Sequence, residues 1–259
     1  MNDQHLICEE RGPILSLMLN RPESLNAFSE EMIKGIIDEL KKANENTSIK
    51  VIILSGSGRS FSAGGDVKTM GTASPVEVYE HLGLLNECIL TMRKIDKPII
   101  AAVHGFAAGA GFNLALACDL IIAAEDSKFA LSFSQVGLIS DGGGSYFLPR
   151  LIGPHLAKQL FFTGEAVSAE KMHQLGVVNH LFPLERLQEE VWKLAMKLAH
   201  GPSSAIGMMK KIIDHSLTAT LEEILEQERT AQALMVSSND HKEGVAAFKE
   251  KRKPVFLGN

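Results

Sequence analysis

Two glycine-rich segments, each directly after an apolar run of β-strand character, constrain the fold of this chain more than any other feature. The first segment runs from Phe61 to Asp66 (FSAGGD) and follows the apolar run 51–54. The second runs from His104 to Asn113 (HGFAAGAGFN), follows the run 98–103 and opens a predicted helix over 109–118. Small residues let a ligand oxygen come close to main-chain donors, and the first N–H groups of a helix have no partner within it. The two segments are therefore predicted to be two halves of one anion site.

The spacing of apolar residues predicts strands and helices that alternate through about residue 160. Strands are predicted over 6–9, 14–19, 51–54, 99–103 and 120–123, and helices over 76–95, 109–118 and after a Ser29 cap, with Met32, Ile33, Ile36, Ile37 and Leu40 as an apolar face. Beyond that point the pattern predicts mainly helices, from Ser168 to about Gly176 and over 184–200, 203–217, 221–235 and 241–251. Buried strands that alternate with helices favour an α/β fold.

Composition adds only mild limits. A chain of 259 residues with 45% hydrophobic and 22% charged residues is ordinary for a globular protein and within reach of one α/β unit. A formal charge of −5 gives no sign of a nucleic-acid surface. The scattered Cys8, Cys88 and Cys118 are typical of free thiols in a reducing compartment. With no visible signal peptide or bilayer-spanning run, we expect a soluble cytoplasmic protein with no membrane or nucleic-acid partner.

The motifs at 62–66 (SAGGD), 101–105 (AAVHG) and 109–111 (GAG) resemble those of the crotonase superfamily, the enoyl-CoA hydratases and isomerases. The resemblance runs from the LNRP motif at 19–22 to the EKRK motif at 250–253. It implies an α/β crotonase (ClpP-like) fold, with a repeated ββα spiral core over residues 1–200 that holds an acyl-CoA site. A helical region over 201–259 would make the contacts of a homotrimer or a dimer of trimers. No separate cofactor is implied, because coenzyme A is part of the substrate.

The resemblance also implies roles for individual residues. By their positions in the motifs, the main-chain N–H groups of Gly65 and Ala110 would bind the oxygen of a thioester enolate. The expected contacts with coenzyme A are Ser24, Ala27, Ala63, Asp66, Val67 and Lys251, of which Lys251 could supply charge to a neighbouring subunit's ligand. Glu23 stands where the family often has a basic residue, which weakens one phosphate contact. Two alternatives remain open: tight turns needed only for packing, and a solvated helix end at Lys251.

The acids of the family's hydratases are missing. Family hydratases use two glutamates, whose positions match Asn113 and Phe133 here. An asparagine amide does not titrate near neutral pH, and a phenylalanine cannot move a proton. Asp141 follows in the stretch 137–145 (GLISDGGGS), where hydratases usually have glycine. In this respect the sequence resembles a subgroup of isomerases that carry Asp or Glu at this position, including the Δ3,Δ2-enoyl-CoA isomerases. The stretch around Asp141 is most similar to the ring-epoxide isomerase of phenylacetate breakdown.

A double-bond shift needs a single base, so we expect Asp141 to be the proton shuttle of an isomerase. Apolar walls, for which Phe133 and Leu138 are candidates, would raise its basicity. The alternative for Asp141 is an N-cap of a helix over 143–151. The alternatives for the protein are a hydratase with a different residue set and a non-catalytic acyl-CoA-binding member.

Other polar residues are less suited to catalysis. Asp119 and Glu165 are expected in structural turns or loops, and His104 is expected to pack at a strand end. Ser62 and Ser145 have no nearby histidine and acid in the sequence, so nucleophilic catalysis has no support. No spacing of His, Cys, Asp or Glu indicates a metal site.

The C-terminal apolar stripe of Leu221, Ile224, Leu225 and Leu234 is costly to leave in water. A helical tail on a finished α/β core therefore needs a partner surface. The resemblance implies another subunit, while packing within the same chain is the competing explanation.

Overall fold

The computed structural model describes residues 4–66 and 73–258, and its largest element is a six-stranded sheet. Its strands, in sheet order, are β1 (Leu6–Arg11), β2 (Ile14–Leu19), β3 (Val51–Gly56), β4 (Ile99–Val103), β6 (Leu120–Ala124) and β9 (His180–Phe182). The β1–β2 hairpin is antiparallel and all other pairs are parallel. A second sheet contains, in sheet order, β5 (Phe106–Ala108), β7 (Lys128–Ala130) and β8 (Ala166–Ser168).

Helices cover the sheet and form the C-terminal part of the chain. They are α1 (Glu30–Glu45), α2 (Pro75–Lys94), α3 (Ala110–Ala117), α4 (Gly144–Ile152), α5 (Pro154–Thr163), α6 (Ala169–Gln174), α7 (Leu184–Ala199), α8 (Ser203–Ser216), α9 (Leu221–Val236) and α10 (Asn239–Glu250). Short 3-10 turns span Pro22–Ser24 and Ser132–Val136. In the part of the chain that is described, no helix combines the length and apolar character needed to cross a bilayer.

Alternation along β3 shows how the sheet divides the core into two layers. Ile52 and Leu54 belong to a large cluster with the apolar faces of α1, α2 and α3. Val51 and Ile53 belong to a second cluster, which Leu187 and other residues of α7 cover from the opposite side. Both faces of a parallel sheet are thus buried, which explains why its strands are nearly continuous apolar runs.

Most of the predicted elements are confirmed, and so is the α/β fold class. The buried face of α1 contains all five predicted residues, and Ser29 accepts a hydrogen bond from the Met32 N–H as the expected cap. Ser168 caps α6 in the same way. The three-residue strands β5, β7, β8 and β9 were not predicted. The division of the chain at residue 200 stays a prediction.

A buried ionic cluster joins the C-terminal part of the chain to the core. The Lys210 ammonium group of α8 donates to the Asp119 carboxylate at 2.8 Å and to the main-chain oxygens of Met92 and Lys97 at 3.1 Å each. Lys210 is only 9% exposed. Removing this ammonium group would leave the mostly buried Asp119 carboxylate with the Arg93 guanidinium, at 3.6 Å, as its remaining ion-pair partner among the described residues.

We predict that Lys210→Ala lowers the free energy of unfolding by about 3–5 kcal/mol, the usual cost of breaking a buried ion pair. Lys211 is the matched control, because it lies next to Lys210 in α8 and pairs with Asp96 at the exposed surface. Lys211→Ala should cost at most about 1 kcal/mol. Urea denaturation of both variants measures the difference, and equal losses would contradict the structural role given to Lys210.

Candidate functional site

The two glycine-rich segments lie against each other at one edge of the main sheet. The Ser62 N–H donates to Phe106 O at 3.1 Å and the Ala108 N–H donates to Ser62 O at 2.9 Å, which pairs the first segment with β5. A side-chain carbon on Gly64, whose φ is +82°, would lie 2.6 Å from Ala108 O and 2.7 Å from Ala110 N. Only a glycine allows this approach, so the contact between the segments explains its presence there.

The second segment turns into α3 at the point of contact. Gly109 caps the helix with φ 52° and donates its N–H to Ala130 O at 2.9 Å. Ala110 begins α3, is 3% exposed, and is not among the non-glycine residues with positive φ in the described chain. The expected alanine is therefore tolerated at this position. Neither the Gly65 nor the Ala110 N–H donates a hydrogen bond to a described residue, so both donors remain available.

The loop after the LNRP motif packs beside the first segment. The Arg21 guanidinium donates to Ala27 O at 2.8 Å and to the Asp66 carboxylate at 3.3 Å, and that ion pair is mostly buried. The side chain of Arg21 therefore holds together two of the residues expected to contact coenzyme A. The Asp66 carboxylate is thus engaged within the protein.

Two further expected coenzyme A residues lie in the same place. Ser24 O accepts the Ala27 N–H at 3.0 Å, and the Ala63 N–H donates to Leu25 O at 2.8 Å. Val67 lies outside the described residues. Lys251 ends α10 in a left-handed conformation at φ 55°. No hydrogen bond or ion pair of the described residues links Lys251 to the glycine segments, so its role stays a prediction.

Asp141 lies in the turn before α4 but does not cap that helix. The cap is Gly143, with no side-chain hydrogen bond, so the capping explanation of Asp141 is wrong. Its Oδ1 atom is buried and has no hydrogen-bond partner among the described residues. Burial raises the pKa of the Asp141 carboxyl to about 6, against the smaller opposing effect of a hydrogen bond with its own main chain. A carboxyl group with this pKa can hold or release a proton near neutral pH.

Asn113 links the Asp141 turn to the second glycine segment, a connection that sequence reasoning missed. The side chain belongs to the first turn of α3 and is fully buried. Its Nδ2 donates to Asp141 O at 2.8 Å and to Ser140 Oγ at 3.0 Å. The sequence shows only that Asn113 stands where the family's hydratases have an acid. It gives no sign of the hydrogen bond to Asp141, because the two residues are 28 positions apart.

Phe133 borders the second segment. A side-chain carbon on Gly109 would lie 3.6 Å from Phe133 Cζ, so the ring of Phe133 packs beside the start of α3. Leu138 donates its N–H to Phe133 O at 2.9 Å, but its side chain is 49% exposed. The wall role of Leu138 stays a prediction.

The other polar candidates have structural partners. Asp119 accepts the Ile99 N–H at 2.7 Å as well as Lys210, and His104 Nε2 lies 2.9 Å from Gly58 O. The structural roles predicted for both are confirmed. Glu165 accepts from the Gln159 side chain at 3.1 Å. The residues that the structure describes contain no cluster of three or more His, Cys, Asp or Glu side chains suited to a metal ion.

The described residues form an α/β protein in which Asn113 joins the second glycine segment to a turn that holds a buried carboxyl group of raised pKa. Comparison with known proteins then gives the family. The model of the enoyl-CoA hydratase/isomerase family matches residues 9–259. The chain belongs to this family, within the crotonase superfamily, and is an enzyme of the hydratase/isomerase class.

Relatives with both types of activity resemble the chain over nearly its full length. The 1,2-epoxyphenylacetyl-CoA isomerase of Escherichia coli (strain K12) is 39% identical over 96% of both chains. The crotonyl-CoA hydratase of Syntrophomonas wolfei is 33% identical over 98% of both. The crystal structure of an enoyl-CoA hydratase from Bacillus anthracis is 31% identical, covers 99% of this chain and 100% of its own, and superimposes with a TM-score of 0.95. The expected crotonase fold is confirmed.

We predict that Asp141→Asn stabilises the protein above about pH 6. The pKa of the Asp141 carboxyl is raised from its ordinary value to about 6, so the folded state binds more protons than the unfolded state between about pH 4 and 6. The stability of the wild-type protein therefore falls as the pH rises through that window. Asparagine avoids this cost, which is up to about 3 kcal/mol for two pKa units.

Urea denaturation at about pH 4 and pH 8 tests this expectation. The two proteins should be equally stable at the lower pH and differ at the higher one. Asp126→Asn, at an exposed aspartate, is the matched control. A gain that is the same at both pH values would show that relief of the buried charge is not the cause.

Proposed function

We propose that the protein is an acyl-CoA isomerase that shifts a double bond, or isomerises a ring epoxide, with Asp141 as the single proton shuttle. The observation that carries this proposal is the buried Oδ1 of Asp141, which has no hydrogen-bond partner among the described residues. A carboxyl oxygen that no protein donor engages can accept a proton from a substrate. The substrate is an acyl-CoA thioester, and no further cofactor takes part in the reaction.

The double-bond shift proceeds through a dienolate. The Asp141 carboxylate removes a proton from C2 of a 3-enoyl thioester, and the C–H electron pair moves toward the thioester oxygen. The main-chain N–H groups of Gly65 and Ala110 bind the resulting oxyanion. Donors that are already in position do not reorganise when charge develops, and the loss of one such donor typically costs about 3–4 kcal/mol of barrier. The Asp141 carboxylic acid then returns the proton at C4, and the double bond forms between C2 and C3.

Coenzyme A is proposed to bind along the loop at 24–27 and the end of the first glycine segment. The contacts that join Ala27, Ala63 and Asp66 in one place support this proposal. Val67 continues the same stretch of the sequence, and Lys251 is proposed to supply a positive charge. Three free thiols support a reducing, cytoplasmic location.

Hydration is the second candidate function, and the name of the Syntrophomonas wolfei relative favours it. Water addition needs one group to activate water at C3 and one to protonate C2. Asn113 and Phe133 stand where the family's hydratases carry these acids, and neither side chain moves protons near neutral pH. The residues of this chain therefore support isomerisation over hydration.

We predict that the protein isomerises 3-hexenoyl-CoA or the ring epoxide of phenylacetyl-CoA, and hydrates crotonyl-CoA weakly or not at all. Incubation with each compound, with products identified by mass, tests this. Hydration of crotonyl-CoA near the typical enzyme rate of about 10 s⁻¹ would overturn the isomerase proposal. Failure to convert any of the three, with binding retained, would favour the non-catalytic alternative.

The control for this experiment is Asp141→Asn, which preserves the shape of the side chain but cannot take up a proton. Its turnover should fall by about 10² to 10⁴, the usual contribution of a general base, with acyl-CoA binding nearly unchanged. In the wild-type protein kcat/KM should fall below about pH 6, because protonation inactivates a base whose pKa is about 6. A folded Asp141→Asn protein with wild-type turnover would show that another residue is the base.

We also propose that the protein assembles as a homotrimer or a dimer of trimers through its C-terminal helices. Leu221, Leu225 and Leu234 of α9 are each more than half exposed in the single chain. Packing within the chain therefore leaves much of the stripe uncovered, and burying it in an interface is worth about 25 cal/mol per Å². Sedimentation at micromolar concentration should show a species of at least three times 28.1 kDa. A single species at the monomer mass would contradict this.

A further inference from the structure

We propose that Asn113 is a positioning residue that fixes the Asp141 turn against the second glycine segment. This inference rests on the proposed role of Asp141 and assigns a function to the position where a hydratase acid would stand. Asn113 is fully buried, and its Nδ2 donates to the main-chain oxygen of Asp141 at 2.8 Å. The bond is made to the backbone of the shuttle residue, so it fixes where the carboxyl group starts without using either carboxyl oxygen.

The neighbouring glycines show how tightly this contact is built. A side-chain carbon on Gly144 would collide with Asn113 Oδ1 and would lie 2.6 Å from Ser140 Oγ. A side-chain carbon on Gly142 would lie 3.4 Å from Asn113 Cβ. The turn therefore wraps closely around the Asn113 amide: Nδ2 donates to the turn, while Oδ1 is buried beside Gly144 without a hydrogen-bond partner among the described residues.

The link is important because Asn113 lies in the first turn of α3, close to Ala110. It lies one helical turn from Ala110, and its N–H donates to Gly109 O at 3.2 Å. One buried side chain thus connects the proposed base to the helix that carries a proposed oxyanion donor. Proton transfer depends steeply on geometry, and a displacement of about 1 Å can cost about 10²-fold in rate.

The other contacts of the Asp141 main-chain oxygen stay within the turn. The Gly144 N–H donates to the same Asp141 oxygen at 3.1 Å, but that bond lies within the turn and moves with it. The 3.4 Å contact from Ser140 Oγ is likewise local. Among these three contacts, only the one from Asn113 joins Asp141 to a different element of the fold.

The test is Asn113→Leu, which keeps a similar branched shape but loses the donor. The substrate is whichever of the three acyl-CoA compounds named above the wild-type protein converts fastest. With it, we expect kcat to fall about 10- to 100-fold and KM to change less than about threefold. The acid limb of the pH profile of kcat/KM should move to lower pH. A released turn lets water reach the Asp141 carboxyl group, which lowers its pKa. A loss of folded protein alone would lower kcat without moving either KM or the acid limb.

The experiment includes a control variant and a double variant. Leu187→Ala removes a buried side chain from α7, on the opposite face of the sheet, and controls for a general loss of stability. It should leave KM and the acid limb unchanged. Adding Asn113→Leu to Asp141→Asn should cause no further loss of turnover, because a residue that acts only through Asp141 has no effect once that carboxyl group is gone.

The outcomes separate the two proposals. If Asp141→Asn is inactive and folded Asn113→Leu retains wild-type kcat and acid limb, the role of Asn113 is wrong and that of Asp141 stands. If Asp141→Asn retains activity, the proposed function itself fails. Should Asn113→Leu not fold, Asn113→Asp keeps the shape and adds a carboxylate near the turn. A second carboxylate nearby raises the pKa of Asp141 and so moves the acid limb to higher pH. An unchanged acid limb and an unchanged kcat in that variant would overturn the inference.

Discussion

The close approach of two main-chain segments is the constraint on which the site depends. β3 and β4 are parallel neighbours, so their carboxyl ends reach the same edge of the sheet and release the two glycine-rich segments side by side. Side-chain carbons on Gly64 or Gly111 would lie within 3 Å of the opposing segment. Because the segments touch through glycines, the two proposed donors, Gly65 and Ala110, belong to segments in direct contact.

Around that contact, stability and chemistry have opposite requirements. A carboxyl group whose pKa burial raises to about 6 destabilises the folded protein at neutral pH. The apolar layers on both faces of the sheet supply stability that does not depend on the site. The Lys210 cluster fastens α8 to this core by contacts with Asp119 and two main-chain oxygens. The Asp141 turn can therefore remain an unfavourable local arrangement, as functional sites often are.

The sequence predicted the parts of this structure that depend on local patterns. β2, α1 and α7 carry apolar faces long enough to show a period, β4 is a continuous apolar run, and Ser29 is a local cap signal. β5, β7 and β8 are three residues each, too short for any periodicity, and exist because of pairing between distant segments. The contact of the two glycine-rich segments could be predicted because both follow buried strands, whereas the hydrogen bond from Asn113 to Asp141 could not, because it joins a helix to a remote turn.

The same contact bears on which reaction the site supports. A hydratase must hold a water molecule at C3 with groups that both accept and donate protons. Both polar ends of the Asn113 amide face the Asp141 turn, and the Phe133 ring packs beside Gly109. Neither side chain can take up or release a proton near neutral pH. Under the proposed reaction this is an advantage, because a single carboxyl group that keeps its proton away from solvent can return it to the same substrate at C4.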